Sequence, residues 1–305
     1  MKKILSTATK VAALALAAST LSFGVGLAEN ASKFVGNITT RGQVRSDFGQ
    51  YWNQITAENE CKWQSIEGSR GNRNFSGCKA AYNWAKNNGG LFKFHALLWG
   101  SQYPTWLESL GVDDTKKAIM DWFDAVKQNF PELDMIDVVN EAIRTGNNQY
   151  HSNYPKTKII QAMGGDNNGD YMFIVNAFKE ARKRWPNAVL IYNDYNTVQW
   201  NLDQGIDLIK TIKKNGAPVD AYGLQAHDME REHGIRLVIE FAGFSVSLQS
   251  FSFVKSASQN PSSSSVKSIS RQVAFVYSLP AASVATTCGT NHFSISCAAE
   301  HWFHG

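Results

Sequence analysis

Aspartate is missing from the last quarter of this sequence: none follows Asp228, the last of fourteen. Other scarcities narrow the field first. After residue 30 no apolar segment is long enough to cross a bilayer core of ~30 Å, which excludes a later membrane anchor. The formal net charge of +4 is small and spread along the chain. It gives no reason to expect nucleic acid or an acidic membrane surface as partner. Only four cysteines occur, Cys61, Cys78, Cys288 and Cys297, and their spacing is not that of zinc ligands. No repeat of solenoid type is present.

What the chain does contain is apolar material, 43% hydrophobic and 12% aromatic in 305 residues. That is enough for a sizeable core in one large domain or two ordinary ones. The first 28 residues read as an export signal. Lys2 and Lys3 precede an apolar run from Val11 to Leu21, and small residues around Gly26-Leu27-Ala28 suit cleavage after Ala28. A secreted chain, extracellular or periplasmic and free of the membrane after cleavage, is therefore expected. In an oxidising compartment cysteines pair, and Cys61 and Cys78 flank a short loop rich in Gly, Asn and Ser. A bridge between them is expected, against the alternative of two buried thiols.

Between Lys33 and Met229 short apolar runs alternate with longer segments of helical period, the signature of βα units around a parallel sheet. Six strands are predicted, at 34–38, 54–56, 92–98, 135–139, 189–192 and 222–224. Helices are predicted at 78–87, 115–129, 170–185 and 202–214. The 170–185 helix is the clearest, with Tyr171, Ile174, Val175, Phe178, Ala181 and Trp185 on one stripe, best read as core. The domain reading is a signal at 1–28, a barrel at 29–229 and a Ser-rich tail at 230–305, expected to be irregular. Residues 231–305 hold sixteen serines, including the run Ser262 to Ser265, and only three carboxylates, Glu232, Glu240 and Glu300.

Four predicted strands end in crowded polar and aromatic segments, and in a parallel barrel such ends share the face that bears the active site. Taken singly, each has a plain explanation: an Asn-Glu pair is usually a solvated loop, a lone histidine a satisfied core residue, a tryptophan packing. Their order makes them specific. Thr56-x-Glu58-Asn59-x-x-Lys62-Trp63, His95-x-Leu97-x-Trp99-x-Ser101-Gln102, Asp137-Val138-Val139-Asn140-Glu141-Ala142, Asn193-Asp194-Tyr195-Asn196 and Gly223-Leu224-Gln225-x-His227 follow one another. This series resembles the family-10 xylanases, (β/α)8 barrels that hydrolyse β-1,4-xylan with retention of configuration.

The resemblance covers about 195 residues and implies an α/β fold of the (β/α)8 TIM-barrel type, incomplete here because six of eight βα units are recognisable. It implies Glu141 as general acid/base and Asn140 as the residue that bonds the sugar 2-hydroxyl. Glu58, Asn59, Lys62 and Gln102 match polar contacts to xylose units, His95 and Trp99 the wall of the central subsite, and Gln225 and His227 residues that orient the catalytic carboxylates. Xylan or a xylo-oligosaccharide is the implied partner of an expected monomer, and the chemistry requires no metal or organic cofactor. Gly100 stands where the family commonly has histidine, which implies a looser subsite. A retaining enzyme also needs a nucleophilic carboxylate ~5–5.5 Å from its acid. At ~30 residues per unit it belongs near positions ~250–260, yet no carboxylate lies between Glu240 and Glu300. Glu240 is the one nearby candidate, only 13 residues beyond His227. Three readings follow: a xylanase whose reading frame was lost near Met229, a non-catalytic xylan-binding protein, or a barrel hydrolase of another β-glucan.

Overall fold

The structure, a computed structural model, describes residues 26–29, 34–146 and 149–225, with the backbone of 245–248 and 274–276. The six expected strands form and pair in parallel. They are β1 (Phe34–Ile38), β2 (Gln54–Thr56), β3 (Leu91–Trp99), β4 (Met135–Asn140), β7 (Val189–Asp194) and β8 (Ala221–Leu224), in the sheet order β1-β2-β3-β4-β7-β8. A small antiparallel hairpin, β5 (Arg144–Gly146) and β6 (Gln149–Tyr150), stands between β4 and the next helix.

Long helices occupy Ser76–Asn88, Val112–Asn129, Met172–Arg184 and Leu202–Lys214. The core lies between them and the sheet. Trp122 and Phe123 of the second helix are fully buried, and Trp122 stacks on Trp63, 5.3 Å between centroids. Phe92 and Phe94 of β3 and Phe130 fill the space below. Asp113 and Asp114 in the first turn and Lys127 in the last complement that helix's dipole. The Ser76–Asn88 helix stops at Gly89, whose φ of 65° is the left-handed cap conformation that glycine adopts without penalty.

The helix expected from Asp170 begins two residues later, at Met172. Tyr171 is left-handed at φ 51°, and the Asp170 carboxylate accepts from the Met172 and Asn167 amides, so Asp170 closes the preceding turn instead of entering the helix. Its stripe is core as expected, with Ile174, Val175, Phe178, Ala181 and Trp185 buried.

Two short stretches of the Ser-rich tail are strands, not irregular chain. β9 (Ser245–Leu248) pairs in parallel with β8, and β10 (Ala274–Val276) runs antiparallel to both β9 and β1, closing the sheet into a ring. The last strand of the ring, being antiparallel to both neighbours, does not belong to a parallel βα unit. The rest of residues 230–305, residues 1–25 of the expected signal and His227 lie outside the described residues. Among the described residues no helix is long and apolar enough to cross a membrane.

Cys61 and Cys78 are joined by a disulfide across 17 positions. The bridge ties the loop after β2 to the Ser76–Asn88 helix, and both sulfurs belong to fully buried residues. Closing a loop of this size stabilises a fold by ~3 kcal/mol in the chain-entropy account. The double variant Cys61→Ala/Cys78→Ala is expected to lose about that much unfolding free energy in urea titrations; an unchanged midpoint would show that the bridge is not formed or not stabilising.

Candidate active site

Strand register builds the site. Trp99 pairs with Asn140 across β3 and β4, Asn140 with Asn193 across β4 and β7, and Asn193 with Gly223 across β7 and β8. Four neighbouring strands thus end at one level, with Glu141 the first residue beyond β4. Gly223 is required there: a Cβ on it would meet the Asn193 Oδ1 at 2.5 Å.

The Glu141 carboxyl is held at both oxygens. The Trp99 indole Nε1 donates to Oε2 at 2.7 Å, and the Gln225 Nε2 donates to Oε1 at 3.0 Å. Burial pushes its pKa above the ordinary range; the bonds from Gln225 and Trp99 pull the other way, and the Asp194 charge adds to the rise. A carboxyl whose pKa is raised by its surroundings is what a general acid needs. Glu141 also has φ 57°, a left-handed conformation costing ~1–3 kcal/mol in a residue that is not glycine.

Asn140 is fully buried beside it. Its Oδ1 accepts from Asn193 at 2.6 Å and from Gln225 at 3.3 Å, and its side chain helps pull the Glu141 pKa down. On the other side, Lys62 Nζ donates to Asn59 Oδ1 at 2.9 Å and lies 4.8 Å from the Trp99 ring centre, and Gln102 reaches the same Asn59 oxygen at 3.3 Å. Burial lowers the Lys62 pKa to about 8, although Glu141, Glu58 and Glu60 oppose the fall. Lys62, Trp99 and Gln102 line one depression together with Ala96 and Leu97. Glu58 is half-buried at the head of that loop, its amide donating to Thr39 Oγ1.

His95 faces inward and lies 6.0 Å from Trp99 between ring centres. Its Nδ1 is 2.8 Å from Asp137 Oδ2, and the fully buried Lys93 ammonium is 3.2 Å from the same oxygen. Burial lowers the His95 pKa; it would raise that of Asp137, but Lys93 and His95 outweigh it and hold the carboxyl ionised. Lys93 was not singled out in the sequence, where a lysine inside an apolar strand gives no signal beyond its own incongruity.

The structure therefore brings Glu58, Asn59, Lys62, His95, Trp99, Gln102, Asn140, Glu141 and Gln225 to adjoining strand ends. Two expectations change. Gly100 does not loosen the site, because a Cβ there would lie 2.5 Å from Ser152 Oγ and 2.6 Å from the Tyr154 amide, so the space is already filled. And Asp194, within a motif but given no role, is a fully buried hub that accepts from His151, Tyr192 and the Ile143 and Tyr195 amides. Among the described residues no cluster of His, Cys, Asp or Glu is arranged to hold a metal.

The sequence profile of glycosyl hydrolase family 10 matches residues 13–255. The chain belongs to glycosyl hydrolase family 10. The match runs past Met229 into the first part of the Ser-rich tail. Curated relatives include endo-1,4-beta-xylanase B of Cellvibrio japonicus, 40% identical over 66% of this chain, and endo-1,4-beta-xylanase B of Neocallimastix patriciarum, 32% identical over 67%. The chain spans 31% and 22% of the length of those two proteins. Among solved structures, a psychrophilic family-10 endo-beta-1,4-xylanase superposes with a TM-score of 0.54 at 27% identity, covering 64% of each chain. The xylanase XynB of Paenibacillus barcinonensis does so with 0.55 at 25%, covering 64% of this chain and 60% of that one. These likenesses establish the family-10 barrel, here in the six-unit form.

The raised pKa of Glu141 has a consequence for stability. Below the unfolded-state pKa both states are protonated and burial carries no penalty. As pH rises from that value through the raised folded value, ionisation opposes burial and stability is lost. Glu141→Gln is therefore expected to melt above the parent protein at about pH 7 and to lose that advantage at about pH 3.5. Equal differences at both values would contradict a carboxyl raised by burial.

Proposed function

We propose that this chain carries the sugar-binding and acid half of a xylan-hydrolysing site, with Glu141 as general acid/base, and lacks the nucleophile that would complete it. The observation that carries this reading is the Glu141 carboxyl gripped by Trp99 and Gln225 with the buried Asn140 amide beside it. An amide beside the acid can donate to a sugar 2-hydroxyl as well as to the carboxyl. Lys62, Asn59, Gln102 and Glu58 offer polar partners to further hydroxyls, and Trp99 and His95 an apolar wall for a ring face. Xylan is favoured over other β-glucans because the relatives matched are endo-1,4-beta-xylanases.

Hydrolysis with retention needs a second carboxylate to form the glycosyl-enzyme. No carboxylate stands between Glu240 and Glu300, and neither β9 nor β10 contains one. The antiparallel β10 lies beyond the family match, which ends at residue 255, and favours a reading in which the sequence after that point is not the family's own, as a reading frame lost later than Met229 would produce. Export by the leader at 1–28, action outside the cytoplasm and a monomeric state belong to the same proposal.

In affinity electrophoresis the folded chain is expected to be retarded by xylan and to release no reducing sugar. Trp99→Ala should weaken retardation by ~1–3 kcal/mol, roughly 5- to 150-fold in affinity. A folded protein that migrates identically with and without xylan would remove the proposal.

A further inference from the structure

The segment His151–Tyr154, which follows the β5–β6 hairpin, lies as a strap across the residues that carry Glu141, and no sequence motif points to it. Ser152 Oγ donates to the Glu141 carbonyl at 2.9 Å, and Tyr154 OH donates to the Asn140 carbonyl at 2.7 Å. The His151 amide donates to the Ile143 carbonyl and the Asn153 amide to the Gly100 carbonyl, each at 2.9 Å. The absence of a side chain at Gly100 is what lets Ser152 and Tyr154 come this close.

One side chain fastens the strap to the next strand. His151 Nδ1 is 2.6 Å from Asp194 Oδ1, and because a carboxylate only accepts, Nδ1 carries the proton. The imidazole stacks on Tyr195 at 4.2 Å, and Tyr195 OH donates back to the His151 carbonyl at 2.9 Å. From the same Asp194, Oδ2 accepts the Ile143 amide at 3.0 Å and the Tyr192 hydroxyl at 2.5 Å, and that hydroxyl accepts the Ala142 amide at 3.1 Å. Glu141, Ala142 and Ile143 are thus each bonded to β7 or to the strap, the Glu141 amide itself reaching the Asn193 carbonyl at 2.8 Å.

We propose that His151, acting through Asp194, is a positioning residue that holds the strap and keeps Glu141 in its left-handed conformation with its carboxyl on Trp99 and Gln225. A strained φ persists only where surrounding contacts over-determine it. Here those contacts converge on Asp194, and His151 is the one contributed by the strap's own side chains. The inference rests on the reading of Glu141 as the acid for its functional meaning, though not for its geometry.

The test compares His151→Phe, which keeps a ring on Tyr195 and loses the Nδ1–H donor, with His151→Asn, whose amide nitrogen can take the place of Nδ1. The probe is the Trp99 indole N–H resonance of the full chain, whose shift follows ionisation of Glu141. In the Phe variant water reaches the carboxyl, so the titration midpoint should fall by ~0.5 unit or more, and indole proton exchange should quicken ~tenfold. The Asn variant should restore both, and Tyr195→Phe should move them partway. A Phe variant with a lower melting temperature but an unchanged indole titration and exchange rate would make His151 a structural residue only and overturn the proposal. If the Phe variant does not fold, the same readings on Tyr195→Phe decide in the same way. No sugar is present in these measurements, so failure of xylan binding would remove the functional reading and leave this inference standing.

Discussion

The Glu141 carboxyl, suspended between an indole on β3 and an amide beyond β8, is the contact on which the site depends. It spans four strands, so it forms only if each of three parallel pairings is in register; a one-residue slip in any of them would turn the relevant side chains to the opposite face of the sheet. The packing outside the sheet, with Trp122, Phe92, Phe94 and Phe130 between strands and helices, secures that register. The disulfide and the Asp194 hub fix the two loops whose ends meet there, one bearing Lys62 and the other Glu141.

Charge inside the ring is arranged in tiers. Lys93, Asp137 and His95 form a buried group beneath the depression, in which the carboxylate takes both its cationic neighbour and its imidazole neighbour on a single oxygen. Above them Lys62 and Glu141 are each pushed by burial toward their neutral forms, the lysine downward and the acid upward.

Much of this was legible before any coordinates. The six parallel strands follow from apolar runs of strand length broken by helical periods, and the helix Leu202–Lys214 matches its expected bounds. The motif residues at strand ends converge because a parallel barrel sends all such ends to one face. What escaped was carried by contacts distant in sequence: His151 lies in a loop with no motif, and its partner Asp194 is 43 positions away. The filling of the Gly100 space could not be read either, since it depends on where Ser152 and Tyr154 pack. Composition marked the tail as foreign to the barrel but gave no hint that two of its short stretches would pair along the open edges, where unpaired backbone groups accept any strand that reaches them.

The account stands or falls on whether the site is whole except for its nucleophile, and supplying one from solution tests this directly. The purified chain would be incubated with azide and an aryl β-xyloside whose leaving group departs without protonation. Azide can attack the anomeric carbon from the side the missing carboxylate would occupy, so the account predicts azide-dependent release of the aryl group with formation of the α-xylosyl azide, the inverted product, and no turnover in its absence. Turnover without azide, giving xylose of retained configuration, would mean that a carboxylate of the chain performs the attack and would contradict the account.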